Sequence, residues 1–292
     1  RITSRTLRGN ICVKGAMDPM FSDSDVKRFA AAVKALNVDT IYGSLALDLS
    51  LKDTVMMGEG WAWDDVNPVL SPLLVDKKDV FSSRFLKYLK GYGVVLTGPV
   101  IKAEYAPNAV ELAECTHPLK DILTRTMKNS DNTYAECVFY KVGSETSSTK
   151  GVSAKTAKNA INRLIQRVGR NPEDYYIADG SGLSRYSHLS PEVEVDILRY
   201  AYRRSHIFNT LYEKMPVAGI DGTLSGRMKG TKAYDNVRAK TGTLSGVSTL
   251  AGYCKAPNGH WLAFCIMNNG LKNSAQGKEF QNKVCTAMCT VE

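Results

Sequence analysis

Nowhere in the 292 residues do eighteen apolar residues follow one another, so no segment reads as a membrane-spanning helix. The opening RITSRTLRGNICVKG lacks the apolar core of a secretory leader and reads as mid-domain sequence. Histidine is scarce. A Ser-His-Asp hydrolase would need one of His117, His188, His206 or His260, and none stands with the Gly-x-Ser-x-Gly turn that exposes such a serine. The seven cysteines, at 12, 115, 137, 254, 265, 285 and 289, form no Cys-x-x-Cys pair, which argues against a zinc ribbon or a thioredoxin-type site. Cys285 and Cys289, four apart on an expected helix, read as small buried hydrophobes rather than as a disulfide or metal pair. DGSGLSR (179–185) lacks the Gly-Lys-Ser/Thr of a phosphate loop, and Asp179 and Ser181 within it read as structural. Basic residues are scattered singly, with no aromatic-interleaved run, so nucleic acid is a poor partner.

What is present is enough for a large core. At 292 residues and 43% hydrophobic, the chain divides more naturally into two domains than one. Its net charge of +9 is uneven: residues 1–110 carry 14 basic and 12 acidic side chains, whereas 111–292 carry 24 and 17. An anionic partner therefore fits the second part better, although a solvated basic surface would give the same count. Residues 1–105 mix strand-like runs (NICVKG, TIYGSLALDLS, GVVLTGPVIKAEYA) with one helical segment, SDSDVKRFAAAVKALN, whose Val26, Phe29, Ala30, Val33 and Leu36 follow helical spacing. This predicts a small α+β domain. From about 116 the pattern is helical, through PLKDILTRTMKN, AECVFYKVG and KTAKNAINRLIQRVG, the last with Ala157, Ile161, Leu164, Ile165 and Val168 on one face. LSPEVEVDILRYAYRR announces another helix, with Ser190 to cap it and Pro191 at its first position. Three strands follow, NVRAKTGT, STLAGYCKA and WLAFCIMNN, the last two joined by the hairpin signal Asn-Gly, and an amphipathic helix closes the chain.

Two triplets carry the chemistry. Ser130-Asp131-Asn132 stands between two helices, and Lys240-Thr241-Gly242 stands in a strand. Each alone is weak, since Ser, Asp and Asn all favour helix caps and turns. In this order and these settings they are two of the three motifs of class A β-lactamases and penicillin-binding proteins. The likeness extends through VKGAMDP (13–19), LALDLS (45–50), GEGWAWDD (58–65), HPLKDILTRTMKNSDNTYAE (117–136), DGSGLSR (179–185), GIDGTLSGRM (219–228) and AKTGTLSGVSTLAGY (239–253). On these strings the chain resembles the D-alanyl-D-alanine carboxypeptidase/endopeptidase family of penicillin-binding proteins, of the DacB type.

The resemblance implies an α/β (α+β) fold. Residues 111–292 would be a serine β-lactamase/transpeptidase-like domain, an antiparallel sheet flanked by helices, and residues 1–110 an inserted small α+β accessory domain. It implies serine D-Ala-D-Ala carboxypeptidase or endopeptidase activity on peptidoglycan stem peptides through an acyl-enzyme, acylation by β-lactams, no metal or cofactor, and a periplasmic or extracytoplasmic site. Loose association with a membrane surface and a homo-oligomer stay open. Ser130 would relay a proton to the departing amine, and Asn132 would hold the substrate amide and the lysine beside the nucleophile. Lys240 would supply positive potential, Thr241 a hydroxyl to the terminal carboxylate, Gly242 a flat approach to the strand edge, and the Thr243 N–H one oxyanion donor. The KTG strand is expected as an inner strand whose edge pairs with substrate. Asp48 matches an acidic residue of the family's accessory domain that would meet a free amine of the stem peptide, or else it only ends a strand by bonding its own backbone. Trp61 and Trp63 read as packing, with sugar stacking as the alternative.

The third motif, Ser-x-x-Lys with the nucleophile, has no convincing match. Ser24-Asp25-Val26-Lys27 reads as a helix start, and Ser147-Ser148-Thr149-Lys150 as a polar loop in the wrong order along the chain. The expectation is that the nucleophile helix and any export signal lie upstream of Arg1. The alternative is a catalytically inactive peptidoglycan-binding module or fragment.

Overall fold

The run TIYGSLALDLS, expected as one strand, is two strands in the computed structural model, which describes residues 1–64 and 66–290. Asp65, in GEGWAWDD, and Val291, in the closing helical run, lie outside the described residues. The chain divides into two units, one of Arg1–Pro118 with Glu136–Ala157 and one of Leu119–Ala135 with the residues from Lys158 onward. The units are not drawn at residue 110, because the segment around Val152 is tied to the first unit. Val152 bridges Lys52, its N–H donates to Leu51 O at 2.8 Å, and its carbonyl accepts from Asp53 N at 3.1 Å.

The first unit contains β1 (Ile2–Thr3), β2 (Thr6–Arg8), β3 (Ile11–Lys14), α1 (Asp23–Lys34), β4 (Thr40–Tyr42), β5 (Leu45–Asp48), α2 (Phe81–Gly91), β6 (Val95–Leu96) and β7 (Val100–Lys102). Strands β2, β4 and β6 pair in parallel in one sheet, with β1 antiparallel at its edge, and β3, β5 and β7 pair in parallel in another. Three chain segments thus pass from the first sheet to the second, at Gly9, at Gly43 and at Gly98. They cross in near contact: a Cβ on Gly43 would lie 2.2 Å from Gly9 O, and one on Gly98 would lie 2.4 Å from Gly43 O. Only glycine admits that approach.

Helix α1 begins in a capping box in which Ser22 and Asp25 satisfy each other's backbone N–H groups. Its Val26, Ala30 and Val33 bury against Ile11, Val13, Ile41 and Leu45. Helix α2 was not expected. It is spaced as Phe81, Phe85 and Leu89, one residue per turn, and all three are buried, with the two phenyl rings stacked at 5.3 Å. Burying each such side chain is worth about 1.5–3 kcal/mol.

The second unit holds α3 (Leu119–Lys128), the first turn of α4 (Asn132–Thr146), most of α5 (Ala154–Arg167), α6 (Pro191–Tyr202), α7 (Ser205–Lys214), β8 (Arg238–Leu244), β9 (Val247–Lys255), β10 (Trp261–Asn268) and α8 (Ser274–Met288). The strands form an antiparallel sheet in the order β10-β9-β8. Strand alternation sends Leu250, Cys254, Phe264 and Ile266 to one face, where Cys285 of α8 and Cys289, which caps its end, cover them. Tyr253, Ala251, Trp261 and Ala263 go to the other, against Leu198 of α6 and Phe208, Leu211 and Tyr212 of α7. Helices therefore cover both faces, which is why the middle of β9, Leu250 to Cys254, carries no charged side chain. Cys285 and Cys289 are core residues, as their spacing suggested. Among the described residues no helix is long and apolar enough to cross a membrane.

Candidate active site

Helix α3 stops at Lys128 and α4 starts at Asn132, so Asn129, Ser130 and Asp131 make the turn between them. Ser130 has a φ of +54°, a left-handed backbone that costs a non-glycine residue about 1–2 kcal/mol. Asp131 holds the turn. Its Oδ1 accepts from Tyr134 N at 3.4 Å, and its Oδ2 accepts from Arg125 Nε at 3.0 Å. The Arg125 guanidinium also lies over the Tyr134 ring, 4.8 Å from its centre. Capping thus falls to the middle residue of the triplet, which leaves the hydroxyl of Ser130 and the carboxamide of Asn132 for other partners.

Ser130 meets the second triplet directly. Lys240 Nζ donates to Ser130 Oγ at 2.6 Å and to Thr241 O at 2.7 Å, joining positions 110 residues apart in sequence. Desolvation by burial disfavours the charged amine and pushes the Lys240 pKa down to about 8. An ammonium near that value can both present charge at neutral pH and release a proton. Because Ser130 accepts from the lysine, its own O–H is free to be donated elsewhere, which is the geometry of a proton relay.

Strand β8 is an edge strand, not the inner strand the sequence suggested, since only β9 pairs along its length. On the opposite side Val217 bridges Arg238, and Ala239 N donates to Pro216 O at 3.0 Å. Backbone groups alternate sides along an antiparallel strand, so Thr241 and Thr243 present their N–H and C=O groups to the same side as Ala239. Past Ala239 that edge is open to an added extended chain. A Cβ at Gly242 would lie 2.3 Å from Thr249 Oγ1 across the ladder, so any larger residue there would turn the Thr249 hydroxyl aside.

The segment 219–228 shared in the family resemblance had no assigned role, and the structure supplies one. Thr241 Oγ1 donates to Thr223 Oγ1 at 2.9 Å. Asp221 receives Lys128 Nζ at 2.6 Å and Val217 N at 2.8 Å, tying this loop to the end of α3, two residues before Ser130. Gly222, between them, has a φ of +54°, and a Cβ would come within 2.7 Å of Lys128 O. Behind the sheet the fully buried Gln281 of α8 donates to Ser248 Oγ at 3.1 Å and Asn268 Oδ1 at 3.2 Å, and it accepts from Arg227 at 2.9 Å. Ser248 faces Thr243 across the ladder, so this network fixes the far end of β8. Neither Thr223 nor Gln281 carries a motif signature; only contact reveals them.

The structure thus brings Ser130, Lys240, Thr241, Gly242 and Thr243 together. Asn132 occupies the first position of α4, and its carboxamide makes no hydrogen bond among the described residues. Asp48 belongs to the first unit and is buried. Its Oδ1 accepts from Ser50 N and its Oδ2 from Tyr105 N, each at 2.9 Å. Burial alone would raise its pKa, but the hydrogen bonds from Ser50 and Tyr105 outweigh that and hold it below the usual range. This geometry favours the strand-ending reading of Asp48. Neither Ser-x-x-Lys string forms a serine–lysine pair among the described residues. Ser24 Oγ bonds Ser22 Oγ on an exposed helix face, while Ser147 bonds Thr149 and Lys150 pairs with Glu104. Asp179 accepts from Ser181 Oγ, Gly182 N and Ser184 N, a structural turn. Trp61 is buried and Trp63 is exposed.

The chain is similar to known proteins. The profile of the D-Ala-D-Ala carboxypeptidase 3 (S13) family matches residues 1–77 and 72–289. The D-alanyl-D-alanine carboxypeptidase of an Actinomadura species is 34% identical over 216 residues, covering 70% of this chain and 39% of its own length. The D-alanyl-D-alanine carboxypeptidase DacB of Haemophilus influenzae is 32% identical over 200 residues, covering 67% of this chain and 41% of its own. The chain therefore spans about two fifths of the length of these curated relatives. The crystal structure of penicillin binding protein 4 (dacB) from Haemophilus influenzae superposes with a TM-score of 0.90 at 23% identity, covering 99% of this chain and 84% of that one. The same protein complexed with a novel β-lactam gives a TM-score of 0.83. With a family profile that runs along nearly all of its length, the chain belongs to the D-Ala-D-Ala carboxypeptidase 3 family.

Proposed function

We propose that this chain is part of a serine D-Ala-D-Ala peptidase that acts on peptidoglycan stem peptides and is acylated by β-lactams. The observation that carries the proposal is the 2.6 Å contact of Lys240 Nζ with Ser130 Oγ, beside an open strand edge. A D-Ala-D-Ala peptide laid along β8 would bond the outward groups of Thr241 and Thr243 as an added strand. The Thr243 N–H is then one donor to the oxyanion, and Asn132 reaches the substrate amide. Lys240 and the Thr241 hydroxyl attract the terminal carboxylate. Ser130 passes its proton to the departing D-alanine amine and regains one from Lys240, whose lowered pKa suits that transfer. The acylated serine would lie in a Ser-x-x-Lys helix outside these residues, and the reaction would run outside the cytoplasm, where the substrate is.

The test is covalent labelling by fluorescent penicillin. The full-length protein should label, and this 292-residue chain alone should not. Labelling of the isolated chain at Ser24 or Ser147, located by peptide mass mapping, would overturn the assignment of the nucleophile. A full-length protein that stays unlabelled would favour an inactive peptidoglycan-binding module.

A further inference from the structure

In the first unit, the donor atoms of Asp18, Cys115 and His117 all lie within 4.8 Å of one another. We propose that these three side chains form a zinc-type metal site that staples the irregular segment before α3 to the loop after β3. The assignment rests on donor chemistry. Imidazole nitrogen, thiolate sulfur and carboxylate oxygen are the three ligand types of protein zinc, and a set of three leaves a fourth tetrahedral position for water.

The local geometry supports each ligand. Asp18 is already oriented: its Oδ1 accepts Met20 N at 2.9 Å, which turns Oδ2 toward His117 Nδ1, 2.7 Å away. A metal held by both would separate these atoms to roughly 3.3 Å, from bond lengths near 2.0 Å at tetrahedral angles, so the shift needed is well under one ångström. Cys115 and His117 are two residues apart in a segment without helix or strand, which can make that adjustment. The Cys115 thiol hydrogen-bonds Asp25, whose carboxylate is fixed in turn by Ser22 N at 2.9 Å and Ser22 Oγ at 2.6 Å. On ligation the thiol proton leaves and this hydrogen bond goes with it, so a bound cation has to offset the Asp25 charge. A thiolate at Cys115 would add a third negative charge beside Asp18 and Asp25, with Arg28, 3.6 Å from Asp25, as the facing cation. A divalent ion would balance the thiolate and Asp18 together. All three ligands are half-buried, so the ion would be partly shielded yet reachable.

The probe is cobalt, which reports thiolate ligation by a charge-transfer band in the near ultraviolet. The full chain, stripped with a chelator, should bind one equivalent of Co²⁺ with that band, and Zn²⁺ should displace it. Cys115→Ser should abolish the band. Asp18→Asn and His117→Ala should each weaken binding by at least tenfold, a size reached even by loss of an outer-sphere partner. Circular dichroism of the variants should match the wild type. A chain that gives no band, or a band that survives in Cys115→Ser, would overturn the proposal, the second outcome because six other cysteines are present.

Discussion

Lys240 allows the proposed chemistry and the fold to be separated in one experiment. Its amine is desolvated and has a pKa of about 8, against an ordinary value of 10.5. At pH 7 about nine tenths of the molecules carry the charge, and at pH 9 about one tenth do. If that charge seats the substrate carboxylate, Lys240→Ala in the full-length protein should slow acylation by penicillin about 100- to 1,000-fold at pH 7, the size of one lost electrostatic contact in an active site. The ratio of wild-type to variant rates removes the titration of every other group. That ratio should fall about ninefold between pH 7 and pH 9. The stability effect has the opposite sign. Because the folded pKa lies below the unfolded one, holding the lysine charged opposes folding below pH 8, and the penalty fades as pH rises from 8 to 10.5. A difference of about 2.5 pKa units corresponds to about 3 kcal/mol. Lys240→Ala should therefore be at least as stable as wild type in urea at pH 7. A rate ratio near one, a ratio that does not change with pH, or a variant that fails to fold would each refute the reasoning.

Two further outcomes follow from the geometry. Gly222→Ala meets both a left-handed φ and the Lys128 carbonyl, so it should lower stability by about 1–3 kcal/mol, seen in urea unfolding, and should slow acylation by disturbing Thr223 and the α3 end together. Asp48→Asn leaves one backbone N–H facing an amide NH₂, so it should destabilise by about 1–3 kcal/mol and reduce kcat/KM equally for stem peptides with a free or a blocked amine. A tenfold or larger loss confined to the free-amine peptides would instead make Asp48 a substrate contact.

Much of the architecture was legible where the pattern is strong. The spacing of α1 and the Ser190-Pro191 start of α6 announce their helices, as Asn-Gly announces the β9–β10 hairpin, because capping and turn chemistry act over a few residues. Helix α2 is not announced as clearly, although Phe81, Phe85, Leu86, Tyr88 and Leu89 lie at helical spacing, since it has no side-chain cap and only a core defines which face counts. The runs 40–50 and 93–106 each read as one strand. A glycine marks where each crosses to a second sheet, yet the need for glycine comes from a neighbouring backbone far along the chain.

For the candidate site, local sequence determined which groups are available: Ser130 and Asn132 around a capping aspartate, and Lys-Thr-Gly in a strand. Only the tertiary structure decided that Ser130 and Lys240 touch, that β8 is an edge, that Thr223 and Asp221 join the site, and that Asp48 is committed to two backbone amides. It also set the acidity of Lys240, which depends on how much water surrounds the amine. The physical reason is range. Capping, turn chemistry and periodicity are satisfied within one or two turns of chain, whereas desolvation, strand order and side-chain contact depend on residues that folding brings from a hundred positions away.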